Sequence, residues 1–296
     1  MLGPAGTSRR GWCRWVAALL LLTQCSWPSG FVGRTGLRAT PASAGEADVS
    51  YKEELQSLCD EFRSKQEEMW EMMDEQEQSQ KSSKSKGKSK ASLLQAESFA
   101  AQRVELGEEL DALRNGTIQA IERVAAQNPN SAPLKGWRGF GGVQPSECAL
   151  NGTWKLIFTD AADATFKKSK RGSANTFQEI DAEAGWFINC VDFSNPESKL
   201  RGFRVFVEGR ALNDFEVELI FRKVRLLRRS RFLPEITIPL PGPGFLRKIG
   251  RLFARRKGGE VNPSDRGAGF KLLYVDENLR IHQTFDGLYF VQKRLA

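Results

Sequence analysis

The sequence predicts a mainly β protein, an antiparallel β-barrel preceded by α-helical N-terminal segments. Two observations carry this. From residue 150 onward, apolar and polar residues alternate with period two in short runs separated by turn residues. Before residue 128, apolar residues instead recur at three- and four-residue steps. Alternation gives a strand one buried and one solvated face, and a closed meander of such strands hides its own edges.

The first residues carry processing signals. Arg9, Arg10 and Arg14 precede the apolar run WVAALLLLT, and small or polar residues follow to Gly30. This pattern predicts a signal peptide over 1–30. The run is shorter than the roughly 20 residues of a membrane-spanning helix, which predicts a soluble or peripheral mature protein. FVGRTGLRATPASA then has Arg34 and Arg38, hydroxyl and small residues, and no acid before Glu46, which is transit-peptide composition over 31–45. A signal peptide followed by a transit peptide starting at Phe31 resembles the bipartite leader that sends proteins by the secretory route into dinoflagellate-type complex plastids. Cutting near Ala44 removes five arginines and no acid, leaving 39 basic against 36 acidic residues, so the formal charge falls from +8 to +3. The mature cysteines, Cys59, Cys148 and Cys190, are odd in number and widely spaced, which predicts neither a disulfide framework nor a metal cluster.

Residues 46–80 form an acidic helix with Leu55, Leu58, Phe62, Met69 and Met72 on a short seam broken by Lys65. A solvated helix is the expectation, with a helical partner the alternative. KSSKSKGKSK has no apolar residue and reads as a flexible basic linker over 81–91. The segment 92–149 starts with a helix carrying Leu106, Leu110, Leu113, Ile118, Ile121 and Val124, stopped by Asn128 and Pro129, and continues as a breaker-rich loop. The barrel domain follows over 150–296, with strands expected at 153–159, 176–181, 186–193, 202–212, 215–226, 270–276, 279–284 and 288–294.

The first strand opens on Gly152-Thr153-Trp154, which resembles the Gly-x-Trp start of lipocalin-like barrels. The longer string LNGTWKLIFTDAADATF, with NPNSAP before it and LLYVDENLRIHQTFDGLYFVQKR after it, resembles the plastid lipid-associated proteins, or fibrillins. The resemblance runs from about Leu110 to Ala296 and rests on Gly152, Trp154, Leu156, Phe158, Thr159, Tyr274, Asp276, Leu279, Arg280, Ile281, Phe290, Val291 and Arg294. It implies a lipocalin-like barrel that binds apolar plastid lipid (isoprenoid, quinone, carotenoid or acyl chains) and associates with thylakoids or plastoglobules. Family members often carry Ser-Arg after Leu-Arg-Ile, whereas His282 and Gln283 stand here.

Strand parity assigns roles. With Trp154 inward, Arg294 on the final strand shares its side and is placed to close the barrel by stacking on the indole. The lumen candidates are Phe158, Phe187, Phe193, Phe203, Phe215, Phe221, Ile281 and Phe290. They also suit a plain packed core. The same parity faces His282 outward. Asp276 and Arg280 flank the turn at Glu277-Asn278 and read as a turn pair. Between Arg222 and Lys257 the chain carries many cations and the single acid Glu235. Within that stretch Phe245, Leu246, Ile249, Leu252 and Phe253 form one helical stripe beside Arg247, Lys248, Arg251 and Arg255, an interfacial pattern suited to an anionic membrane surface.

One histidine cannot build a multi-histidine metal site, and no phosphate-binding glycine motif is present, so the reading is a non-enzyme without cofactor or metal. Nucleic-acid binding through 222–257 is the rival from another class. It leaves the apolar stripe idle, and no RNA-binding aromatic motif accompanies it. A structural coat on lipid particles, with no lumen ligand, is the second alternative.

Overall fold

The computed structural model describes residues 44–83, 90–161, 169, 171–240 and 267–295. The expected leader except for Ala44 and Gly45, most of the basic linker and the stripe Phe245, Leu246, Arg247, Lys248, Ile249, Arg251, Leu252, Phe253 and Arg255 lie outside the described residues.

Two helices come first, α1 (Ala44–Ser83) and α2 (Lys90–Ala125). Asn128 ends the second, and its side-chain oxygen accepts hydrogen bonds from the backbone N–H groups of Asn130 at 3.2 Å and Val275 at 3.3 Å. Nine strands follow: β1 (Gly152–Thr159), β2 (Ala174–Asp181), β3 (Trp186–Phe193), β4 (Leu200–Ala211), β5 (Glu216–Arg228), β6 (Glu235–Pro239), β7 (Gly269–Val275), β8 (Leu279–Thr284) and β9 (Tyr289–Leu295). Their order β4-β3-β2-β1-β9-β8-β7-β5, together with the β4–β5 pairing, closes an antiparallel ring, and β6 pairs only with the far half of β5. Closure leaves the ring without free edges.

β6 was not anticipated. Ile236 and Ile238 alternate with Glu235 and Thr237, a run too short to stand out inside a stretch dominated by cations. Pro239 at its end suits an edge strand, where no ladder donor is required.

Two apolar clusters form on opposite sides of the strand wall. Inside the ring, Trp154, Phe187, Phe193, Phe203, Val217, Phe270 and Leu272 pack together, and Leu134 and Trp137 from the loop after α2 plug one end. The indole N–H of Trp137 donates to the Gly209 carbonyl at 3.1 Å, and a side chain at Gly209 would collide with Trp137 and Phe187. Outside, Leu55, Phe62, Ile121 and Val124 of the helices bury Phe158, Tyr274, Leu279, Ile281 and Val291. The acidic helix is therefore not simply solvated. Leu55, Cys59 and Phe62 are buried, because α1 packs on α2 and β1.

Candidate functional site

Irregularities in the strands decide which side chains enter the ring. The β1–β9 register shifts between Leu156 and Phe158, and the β7–β8 register shifts between Leu272 and Tyr274. One extra residue moves everything beyond it to the other face. Phe158, expected in the lumen, therefore lies on the outer wall with its ring 5.0 Å from that of Phe62. Ile281, also expected inside, is buried in the same outer cluster. On β8 the inward residues are Arg280 and His282, which pair across the sheet with Gln292 and Phe290. His282, expected on the surface, is only 7% exposed, its ring 4.9 Å from Phe290 and 4.5 Å from Phe270.

The interior divides into an aromatic row and a polar ladder. Trp137 stacks on Phe187 at 4.6 Å, Phe187 meets Phe270 edge-on at 5.4 Å, and His282 carries the row to Phe290. Phe193 and Phe203 lie 6.3 Å apart in the same interior cluster, with half-buried Phe221 against it. Phe215 is half-buried in the turn before β5.

The polar ladder centres on Arg280, which has no solvent exposure. Its Nη2 donates to Gln178 Oε1 at 2.5 Å and to Gln292 Oε1, and Gln178 in turn donates to Asn189 at 2.5 Å. Nε and Nη1 of Arg280 and Nδ1 of His282 are buried without a hydrogen-bond partner among the described residues. Burial first, then the neighbouring Arg294 charge, pull the Arg280 pKa down to about 9, so the guanidinium is still charged at neutral pH. Burial, and secondarily the Arg280 charge, hold His282 well below the ordinary imidazole value, which keeps it neutral.

Trp154 joins this ladder to the outside. The Arg280 guanidinium lies 5.4 Å and that of Arg294 lies 4.2 Å from the indole centroid. Arg294 also donates to the carbonyls of Glu277 at 2.6 Å, Ala149 at 2.8 Å and Asn151, stitching β9 to the approach to β1. Beside it opens a cleft of about 430 Å³ lined by Pro129, Ala149, Val275, Glu277 and Arg294 among others. Asp276 and Arg280 do not pair. Asp276 caps its turn by accepting from the N–H groups of Asn278 and Leu279, both at 2.7 Å, and binds Lys52 at 2.8 Å. Against the upward push of its own burial, the Lys52, Tyr274 and backbone hydrogen bonds hold its carboxyl below the usual range.

The described part of the basic stretch is not one uniform surface. Arg222 pairs with Glu208 at 2.6 Å, Arg225 approaches Glu235 at 3.5 Å, and Lys223 lies 4.5 Å above the Phe206 ring. The hairpin tip between β5 and β6 differs. Phe232 is 99% and Leu233 49% exposed, flanked by exposed Arg229 and Arg231 and half-buried Arg228. Lys199 and Arg201 are exposed at the start of β4, where Leu200 pairs with Arg228. Sequence reasoning placed membrane contact further on and missed this Arg-Phe-Leu tip. It also missed the ladder, whose signal was Arg280, His282 and Gln292 at one parity against Leu279, Ile281 and Val291 at the other.

Cys59, Cys148 and Cys190 are buried free thiols, with Cys59 and Cys190 pushed up to about 12 chiefly by burial. Among the described residues, no helix is long and apolar enough to cross a membrane. No curated protein and no solved structure matches the chain significantly. The chain matches the PAP_fibrillin family over residues 101–293, about two thirds of its length, and thus belongs to that family.

Proposed function

We propose that this chain acts by binding lipid without catalysis, attaching peripherally to anionic thylakoid or plastoglobule surfaces and holding an apolar plastid lipid within a lipocalin-like barrel. Membership in the family is consistent with a plastid lipid-associated structural role. The leader composition adds delivery to a complex plastid through the secretory route.

The observation that carries surface attachment is the β5–β6 hairpin tip. An almost fully exposed phenylalanine is costly to hold in water, whereas at a bilayer interface its ring enters the acyl boundary and the arginines around it meet anionic headgroups. Each such cation contributes about 1 kcal/mol near an anionic surface. The tip supplements the stripe at 245–255, which carries the same chemistry in sequence. The test is flotation with phosphatidylcholine vesicles, with and without phosphatidylglycerol. Wild type floats with the anionic vesicles, and Phe232→Ser with Leu233→Ser lowers the floated fraction several-fold. Equal flotation of wild type and variant would remove the tip from the membrane contact.

A second reading, a structural coat without interior ligand, draws on the continuous row from Trp137 to Phe290, which fills much of the ring. Lipid extraction from the purified chain separates the two.

A further inference from the structure

The wall of β8 and β9 presents polar side chains inward at a level where a packed interior needs apolar ones. Arg280 is fully buried, yet only its Nη2 has partners, and both partners are neutral amides. Nε and Nη1, which carry three of the five guanidinium N–H groups, have none, and neither does Nδ1 of His282 two residues along the same face. Among the described residues, the one other charge acting on Arg280 is that of Arg294, which repels it. Glu277, the nearest acid in sequence, is exposed, and Asp276 beside it is engaged by Lys52 and by its own turn. A buried guanidinium without a carboxylate is strongly unfavourable, and an anion that reaches it recovers both charge and hydrogen bonds.

We infer that the inner face of Arg280 is the head-group site for a single-chain lipid carboxylate, with its alkyl chain against Phe270 and Phe290. The cleft of about 430 Å³ ends at Arg294, Arg294 lies over Trp154, and Arg280 lies over the same indole. The two guanidiniums thus lie by one buried indole between that cleft and the interior, and neutral His282, with Nδ1 unpartnered, stands two residues from Arg280 as a further polar contact. Gln178 and Gln292 hold the guanidinium in place through Nη2 and leave its other nitrogens for the ligand. A carboxylate satisfies the charge, whereas an alcohol or an ester of equal length satisfies hydrogen bonds alone.

This inference rests on the interior-ligand reading above and adds the head group to it. Its test titrates the delipidated full chain with decanoate and with 1-decanol, which share a chain and differ in charge, by calorimetry and by thermal melting. Wild type is expected to bind decanoate roughly tenfold or more tightly than decanol, the span of a hydrogen bond to a charged group. Arg280→Met should erase that preference, keep decanol binding, and raise the melting temperature of the ligand-free chain, since an apolar side chain of similar length removes a buried charge that nothing neutralises. A purely structural arginine gives the opposite result, a lowered melting temperature, and that outcome overturns the inference. Equal decanoate binding by wild type and Arg280→Met overturns it as well. Decanol binding to wild type without a decanoate preference sinks the head group alone, whereas failure of both probes sinks the interior-ligand reading.

Discussion

The two faces of the β8–β9 wall invert the usual arrangement. Outward, Leu279, Ile281 and Val291 are fully buried and apolar, because α1 and α2 cover them. Inward, Arg280, His282 and Gln292 put a polar ladder, continued by Gln178 of β2 and Asn189 of β3, into a ring whose remaining lining is aromatic and aliphatic. The outer face behaves as the packed core that joins the helices to the sheet. The inner face gives up packing for polar groups, and buried polar groups without partners are the exception that calls for a function.

The largest effect should come from the outer face. Phe158→Ala removes the ring that meets Phe62 edge-on and should cost about 3–5 kcal/mol in chemical denaturation. A loss under about 1 kcal/mol would mean that the helices do not hold the wall. Arg294→Ala comes next. It removes three hydrogen bonds to backbone carbonyls and the contact with Trp154, and should lower stability by roughly 2 kcal/mol with a clear drop in melting temperature. An unchanged melting temperature would end its closing role.

His282 sharpens the comparison through pH. Its folded pKa lies well below the ordinary 6.5, so above that value both states are neutral and the residue is indifferent to pH. As the pH falls below 6.5 the unfolded chain takes up a proton that the folded chain refuses, and stability declines by at most roughly 1.4 kcal/mol per pH unit. His282→Phe keeps a ring between Phe270 and Phe290 and removes this proton. Between pH 7.5 and pH 5 it should lose less melting temperature than wild type does, and identical losses would place His282 in a wetter site. The smallest stability effect is expected at the hairpin tip. There Phe232→Ser should stay within roughly 0.5 kcal/mol of wild type, because the exposed ring supports nothing in the fold.

Much of the architecture was legible because period two is a direct consequence of pleating. The strands from β1 to β5 and from β7 to β9 fall near the expected runs, and the parity of Trp154 and Arg294 on the inner wall follows from alternation alone. Alternation states that a strand has two faces and is silent about which one points inward. The parity assigned to β8 turned Ile281 inward, but the helices made the outer face the drier one. The shift after Leu156 reversed Phe158 by a single residue with no local signature, since LIFT alternates acceptably in either sense. The tip at Phe232 was hidden by context, a short aromatic turn inside a run of arginines whose other members pair with Glu208 and Glu235.

Recovering the protein from the cells that make it, and identifying the lipid that accompanies it by mass spectrometry, tests the account most directly. The account predicts a chain in the thylakoid or plastoglobule fraction that carries an apolar or acyl lipid at close to one molecule per chain. A chain found only in the soluble fraction and free of lipid would contradict it.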